Sequence, residues 1–180
     1  THLAFFIEHQ NRLAQRFDME TVDLDLVPIH TLNSIQAELV SLFMYMIGNT
    51  DFSIVQGVAG EGCCHNAKLL KNSGGEYFAI PYDFDGSGFV SASYAAEPNP
   101  GFNLRSSRSR LFRGYCIHSD TIVETFKLVR PLQAQFNDLV GDSTLLRDRT
   151  VNASRKFLED FFEIINDPRQ IERRINRDCR

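Results

Sequence analysis

The apolar periodicity of the chain changes twice, and this restricts the fold more than any other feature. Up to Ile47, apolar residues recur at helical spacing; from Gly48 to Pro100, short β-prone runs alternate with glycine-rich turns; from Ser119 the helical spacing returns and holds to the end. A chain patterned in this way is mainly α (α+β), with a small hairpin-and-loop region inserted after its second helix. Its 180 residues, 43% apolar and 23% charged, suit one compact lobe spanning 1–180. The longest strongly apolar stretch, Leu39 to Ile47, falls far below the ~20 residues that cross a bilayer, so no membrane span is expected.

Leu3, Phe6, Ile7, Leu13, Ala14 and Phe17 predict an amphipathic helix that frays near Asp18, followed by a polar joint. Leu32 to Gly48 predicts a second, more buried helix, with Thr31, Asn33 and Ser34 as cap candidates and Gly48-Asn49 as its stop. Three strand-like runs follow, Ser53 to Val58, Ala67 to Leu70 and Tyr77 to Tyr82, separated by turns at Gly57, Gly60, Gly62 and Gly74-Gly75. Helices are then expected over Ser119 to Val140, Thr144 to Asn166, and Pro168 to about Asn176. Pro168 sits where a helix tolerates proline, in the first turn. The stripe Phe157, Leu158, Phe161, Phe162 and Ile165 is expected to be core.

A net charge of −4 argues against the uniformly basic face that neutralises phosphates, so no nucleic-acid partner is expected. Of 19 basic residues, 15 are Arg, and Arg105, Arg108, Arg110 and Arg113 crowd into one short segment. They either pair with the protein's own acids or bind an acidic or phosphorylated group through their planar forks. Cys63, Cys64, Cys116 and Cys179 suit either reduced buried thiols or one long-range bridge, for which Cys116 and Cys179 are the candidates. A zinc site from Cys63, Cys64, His65, Cys116 and His118 is a lesser reading, because adjacent side chains diverge.

Three polar residues lie at structural breaks and not on solvated helix faces. Asp51 follows Gly48-Asn49-Thr50 at the end of the buried helix, Asn66 follows the glycine-rich loop, and Asp83 follows the run Ile80-Pro81-Tyr82. Each has a plain alternative: an Asx-type turn at Asp51, a turn at Asn66, and a hairpin turn at Asp85-Gly86. The order Asp, Asn, then Asp-Phe after a strand is also the order used for phosphoryl transfer in kinase lobes, where an Asp orients the acceptor hydroxyl and an Asn and an Asp hold magnesium.

Asn49-Thr50-Asp51, His65-Asn66 and Tyr82-Asp83-Phe84-Asp85 resemble the catalytic lobe of atypical bacterial kinases, in particular the spore-coat kinase CotH group and, more distantly, the HipA group. The likeness covers residues 32 to 95 by motif and the helices after 119 by general pattern. It implies the helical carboxy-terminal lobe of a protein-kinase-like fold, using ATP and magnesium on a hydroxyl of a protein or small molecule. Asp51 would be catalytic, Asn66 and Asp83 would bind the cofactor and metal, and Asp85 would be a further metal ligand or a turn residue. Asp51 and Asn66 stand fifteen positions apart, where ordinary kinases have five, so the loop from Phe52 to His65 must bulge out and return.

The same resemblance implies a preceding β-rich nucleotide-binding lobe. Because the chain opens at Thr1 in an expected helix, the sequence reads as a processed or truncated piece, inactive alone, whose partners are that lobe and an unidentified phosphoacceptor. Phe5 and Phe6 would face the missing lobe, and an apolar patch left exposed would serve a homodimer. The compartment, cytoplasmic or exported, stays open. The rival class is a non-catalytic binding or structural module in which the same residues survive as turns.

Overall fold

The computed structural model describes residues 6–95, 99–115 and 119–179. The described chain is mainly helical, with one three-stranded antiparallel sheet. It divides into two compact units, residues 1–40 with 51–83 and residues 41–50 with 84–180.

In the first unit, helix α1 (Gln10–Arg16) is shorter than the apolar pattern suggests. His9 caps it by accepting from the Asn11 amide, and residues 6–8 ahead of that cap are not helical. Phe6 and Ile7 are exposed, and Phe5 lies outside the described residues. Asp18, at φ 53°, turns the chain into strand β1 (Met19–Thr21), where the sequence suggests only a polar joint. Three residues are too few to show an alternation in sequence; cross-strand pairing with β2 makes the strand, with Met19 opposite Asn72.

Strands β2 (Ala67–Asn72) and β3 (Tyr77–Pro81) form the expected hairpin. Its turn is tied by the Gly75 amide to Asn72 O and by the Asn72 side chain to Glu76. The expected strand from Ser53 to Val58 reduces to isolated bridges, Ser53 to His65 and Leu26 to Gln56. Phe52, Ile54 and Val55 are buried there, so their apolar character serves loop anchoring and not a ladder.

Helix α2 (Ser34–Ile47) begins in the first unit and ends in the second. The Asn33 carboxamide accepts from the Gln36 amide, the cap the sequence predicts. Asn33 N also donates to Tyr77 O, and Gln36 Nε2 donates to Ala79 O, fastening the start of α2 to β3. Gly48 ends the helix at φ +65°, a conformation that residues with a Cβ rarely adopt.

In the second unit the expected helix over 119–140 is broken into α3 (Ser119–Val129) and α4 (Gln133–Gly141) by a 3-10 turn at Arg130–Leu132. Pro131 is the cause, since it has no amide to continue the ladder. Helix α5 (Asp148–Asn166) starts later than Thr144, and α6 (Pro168–Arg174) starts at Pro168 with Asp167 as its cap. The Phe157 stripe is core as expected: Phe161 and Ile165 are completely buried, and Phe157, Leu158 and Phe162 nearly so. Tyr45 of α2 meets Phe112 and Phe161 edge-on at 6.0 and 6.2 Å between centroids. Phe161→Ala therefore removes the centre of this cluster, and urea unfolding should show a loss of about 3–5 kcal/mol. Among the described residues no helix is long and apolar enough to cross a membrane.

Candidate functional site

The site is built by the end of the β2–β3 hairpin. Ala67 stands opposite Pro81 in the last ladder pair, and one step further the Tyr82 amide donates to Asn66 O at 3.2 Å. The pairing thus reaches Asn66, and the residue after its partner is Asp83. Asn66 has φ 54°, a left-handed conformation that Asn tolerates better than most residues, and here the chain leaves the sheet.

The loop from Phe52 to His65 does bulge out and return, as the resemblance implies. The Ser53 amide donates to His65 O at 3.0 Å, His65 N to Gln56 O at 3.2 Å, and Cys63 N to Leu24 O at 2.6 Å. Gly57 permits the return, because a Cβ there would lie 2.2 Å from the carbonyl oxygen of Gly62.

This closure brings Asp51 and Asn66 together. Asn66 Nδ2 donates to the Asp51 backbone oxygen at 2.8 Å and to carboxylate Oδ2 at 3.1 Å. Both partners are acceptors only, which fixes the amide orientation: the NH₂ faces Asp51, and the carbonyl oxygen is the atom left to accept a proton donor or ligate a cation. His65 Nε2 lies 2.7 Å from Asp51 Oδ1. A carboxylate offers no proton, so this nitrogen carries the hydrogen. The sequence marks His65 only as a zinc candidate or a solvent-facing ring; its signal was its place beside Asn66. The Asp51 side chain remains 62% exposed.

Asp83 is half-buried. Asp85 lies in a turn closed by the Ser87 amide on Phe84 O at 3.0 Å, so a turn, though not a strand-to-strand hairpin, forms at Asp85-Gly86. A cleft of about 530 Å³ beside the hairpin end is lined by His65, Asn66, Lys68, Tyr82, Asp23 and Glu61, among others. Among the described residues no group of three or more His, Cys, Asp or Glu is placed to hold a metal ion. A magnesium site needs no such group, since it uses one or two carboxylates, neutral oxygens and water. Asn66 and Asp83 carry hard oxygen donors of the type that this ion takes.

Cys63 and Cys64 are bonded to each other, contrary to the expectation that adjacent side chains diverge. The bond denies both thiolates to zinc. Cys179 is also disulfide-bonded, while Cys116 and His118 lie outside the described residues. Without reduction, a peptide spanning Cys63 and Cys64 should resist alkylation and weigh two hydrogens less than its reduced form in mass spectrometry.

The arginine segment belongs to the second unit. Arg113 Nη1 donates to Thr50 O at 2.6 Å, and its guanidinium lies 4.9 Å from the Phe102 ring centroid. Arg110 donates to Met46 O and Phe157 O and lies 3.7 Å from the Phe157 centroid. Carbonyls and aromatic faces thus help to hold both side chains, and Arg110 also feels the charge of Asp160, one of the protein's own acids. No protein-family model matches the chain, and no curated protein or solved structure matches it.

Proposed function

We propose that this chain is the helical lobe of a protein-kinase-like phosphotransferase of the CotH kind, moving the terminal phosphoryl group of ATP to a hydroxyl acceptor. The observation that carries the reading is the double hydrogen bond from the Asn66 amide to Asp51, made at the hairpin end from which Asp83 follows. Residues fifteen positions apart are held as one group, with the Asn oxygen left for a cation. A pair of independent turns needs no such contact.

Asn66 and Asp83 would hold magnesium. When bound, magnesium offsets negative charge on the transferring group. Asp51 orients the acceptor hydroxyl and takes its proton as the oxygen bonds to the terminal phosphorus and the bond to the ADP oxygen breaks. His65, donating to Asp51 Oδ1, positions that carboxylate.

The test is thermal melting of a protein that joins this chain to an ATP-binding lobe. ATP with magnesium should raise the melting temperature well beyond either alone. If ATP and magnesium together leave it unchanged, the non-catalytic binding module is the better reading.

A further inference from the structure

A second cleft, of about 520 Å³, lies within the unit formed by residues 41–50 and 84–180. One wall is a face of α5, where Asn152, Lys156 and Asp160 follow at four-residue spacing; the other carries Arg108 and Arg110. Its base is Phe157, whose buried ring lies 5.1 Å from the Arg108 guanidinium carbon and fixes that planar group by cation–π contact. Arg110 is anchored behind by its two carbonyl bonds. Burial pushes its guanidinium down to about 10, the mark of a positive charge poorly solvated where it stands.

The charge balance is unusual for a chain of net charge −4. Arg108, Arg110 and Lys156 face one carboxylate, Asp160, which lies 3.5 Å from Lys156 Nζ. The local sum is +2, equal and opposite to a phosphomonoester dianion, whereas a single carboxylate would leave it unbalanced. Guanidinium, ammonium and amide are the donors that such an anion accepts from.

We propose that this cleft binds the phosphoryl group of a phosphomonoester, with Arg108 and Lys156 supplying the charge and Asn152 a neutral donor. This site is separate from Asp51, Asn66 and Asp83 and does not rest on their reading.

The experiment is an NMR titration of the chain with inorganic phosphate, then with phosphoserine as the free amino acid, at constant ionic strength. Both should shift the amides around Arg108 and Lys156 saturably, and acetate should not. Lys156→Gln alters an exposed side chain and keeps the fold; it should weaken binding about tenfold, as should Arg108→Gln. Asp160→Asn should tighten binding, while Lys127→Gln, a charge-matched change on α3, should leave it alone. Absence of a saturable shift, or equal losses from Lys127→Gln and Lys156→Gln, would overturn the proposal.

Discussion

Asp83→Asn should lower phosphoryl transfer by about a thousandfold or more in a protein that joins this chain to an ATP-binding lobe. Asn keeps the shape of the side chain and removes the one charge that separates it from Asp. In the proposed site that charge holds magnesium, and metal stabilisation of a transferring group amounts to several kcal/mol, where about 4 kcal/mol corresponds to a thousandfold in rate. Asp83 is only half-buried and lies past the last ladder pair of β3, so unfolding by urea should change little. The variant should lose both metal affinity and rate, assayed respectively by titration and by transfer of labelled phosphate from ATP.

Asp51→Asn should lower the rate of transfer by about a hundredfold to ten-thousandfold, the usual contribution of a positioned general base, while metal and nucleotide binding stay nearly intact. The hydrogen bonds at Asp51 are the ground for the second half of that expectation. The shorter of the two Asn66 bonds goes to the Asp51 backbone oxygen, which the substitution leaves in place, and the new amide oxygen still accepts from Asn66 Nδ2. The Asn66 oxygen would therefore remain available to the proposed metal. Loss of metal binding in Asp51→Asn equal to that in Asp83→Asn would mean that the two carboxylates share one role.

The sequence shows clearly what depends on local chemistry. The β2–β3 hairpin, the Asn33 cap, the stop at Gly48, the start at Pro168 and the Phe157 stripe each follow from residues within a turn or two of one another. What it hides depends on contacts between distant segments. Strand β1 exists because Met19–Thr21 finds β2 some fifty residues on, and Ser53 to Val58 fails as a strand because only single bridges meet it. Pro131 was visible, yet the apolar pattern on either side concealed the break it makes.

The candidate site divides in the same way. Asp51, Asn66 and Asp83 stand out because each follows a break, and the return of the long loop follows from the kinase resemblance, which needs residues fifteen positions apart to meet. The role of His65 does not follow from it, because it depends on that return having brought Asp51 within 2.7 Å of the ring. The Cys63–Cys64 bond was missed for a different reason: the expectation that neighbouring side chains diverge holds for regular backbone, and this loop is not regular. The lysine partner of the Arg108 cleft comes from α5, far along the chain from the arginines.

The central claim is that Asp51, Asn66 and Asp83 form one cation-assisted site, and manganese serves as a paramagnetic substitute for magnesium. Added in small amounts to the labelled chain, it should first broaden the amide signals of Asn66, Asp83 and their neighbours, with Asp51 close behind, and Asp83→Asn should abolish the effect while Asp51→Asn preserves most of it. Broadening that begins elsewhere, or that survives Asp83→Asn undiminished, would contradict the account.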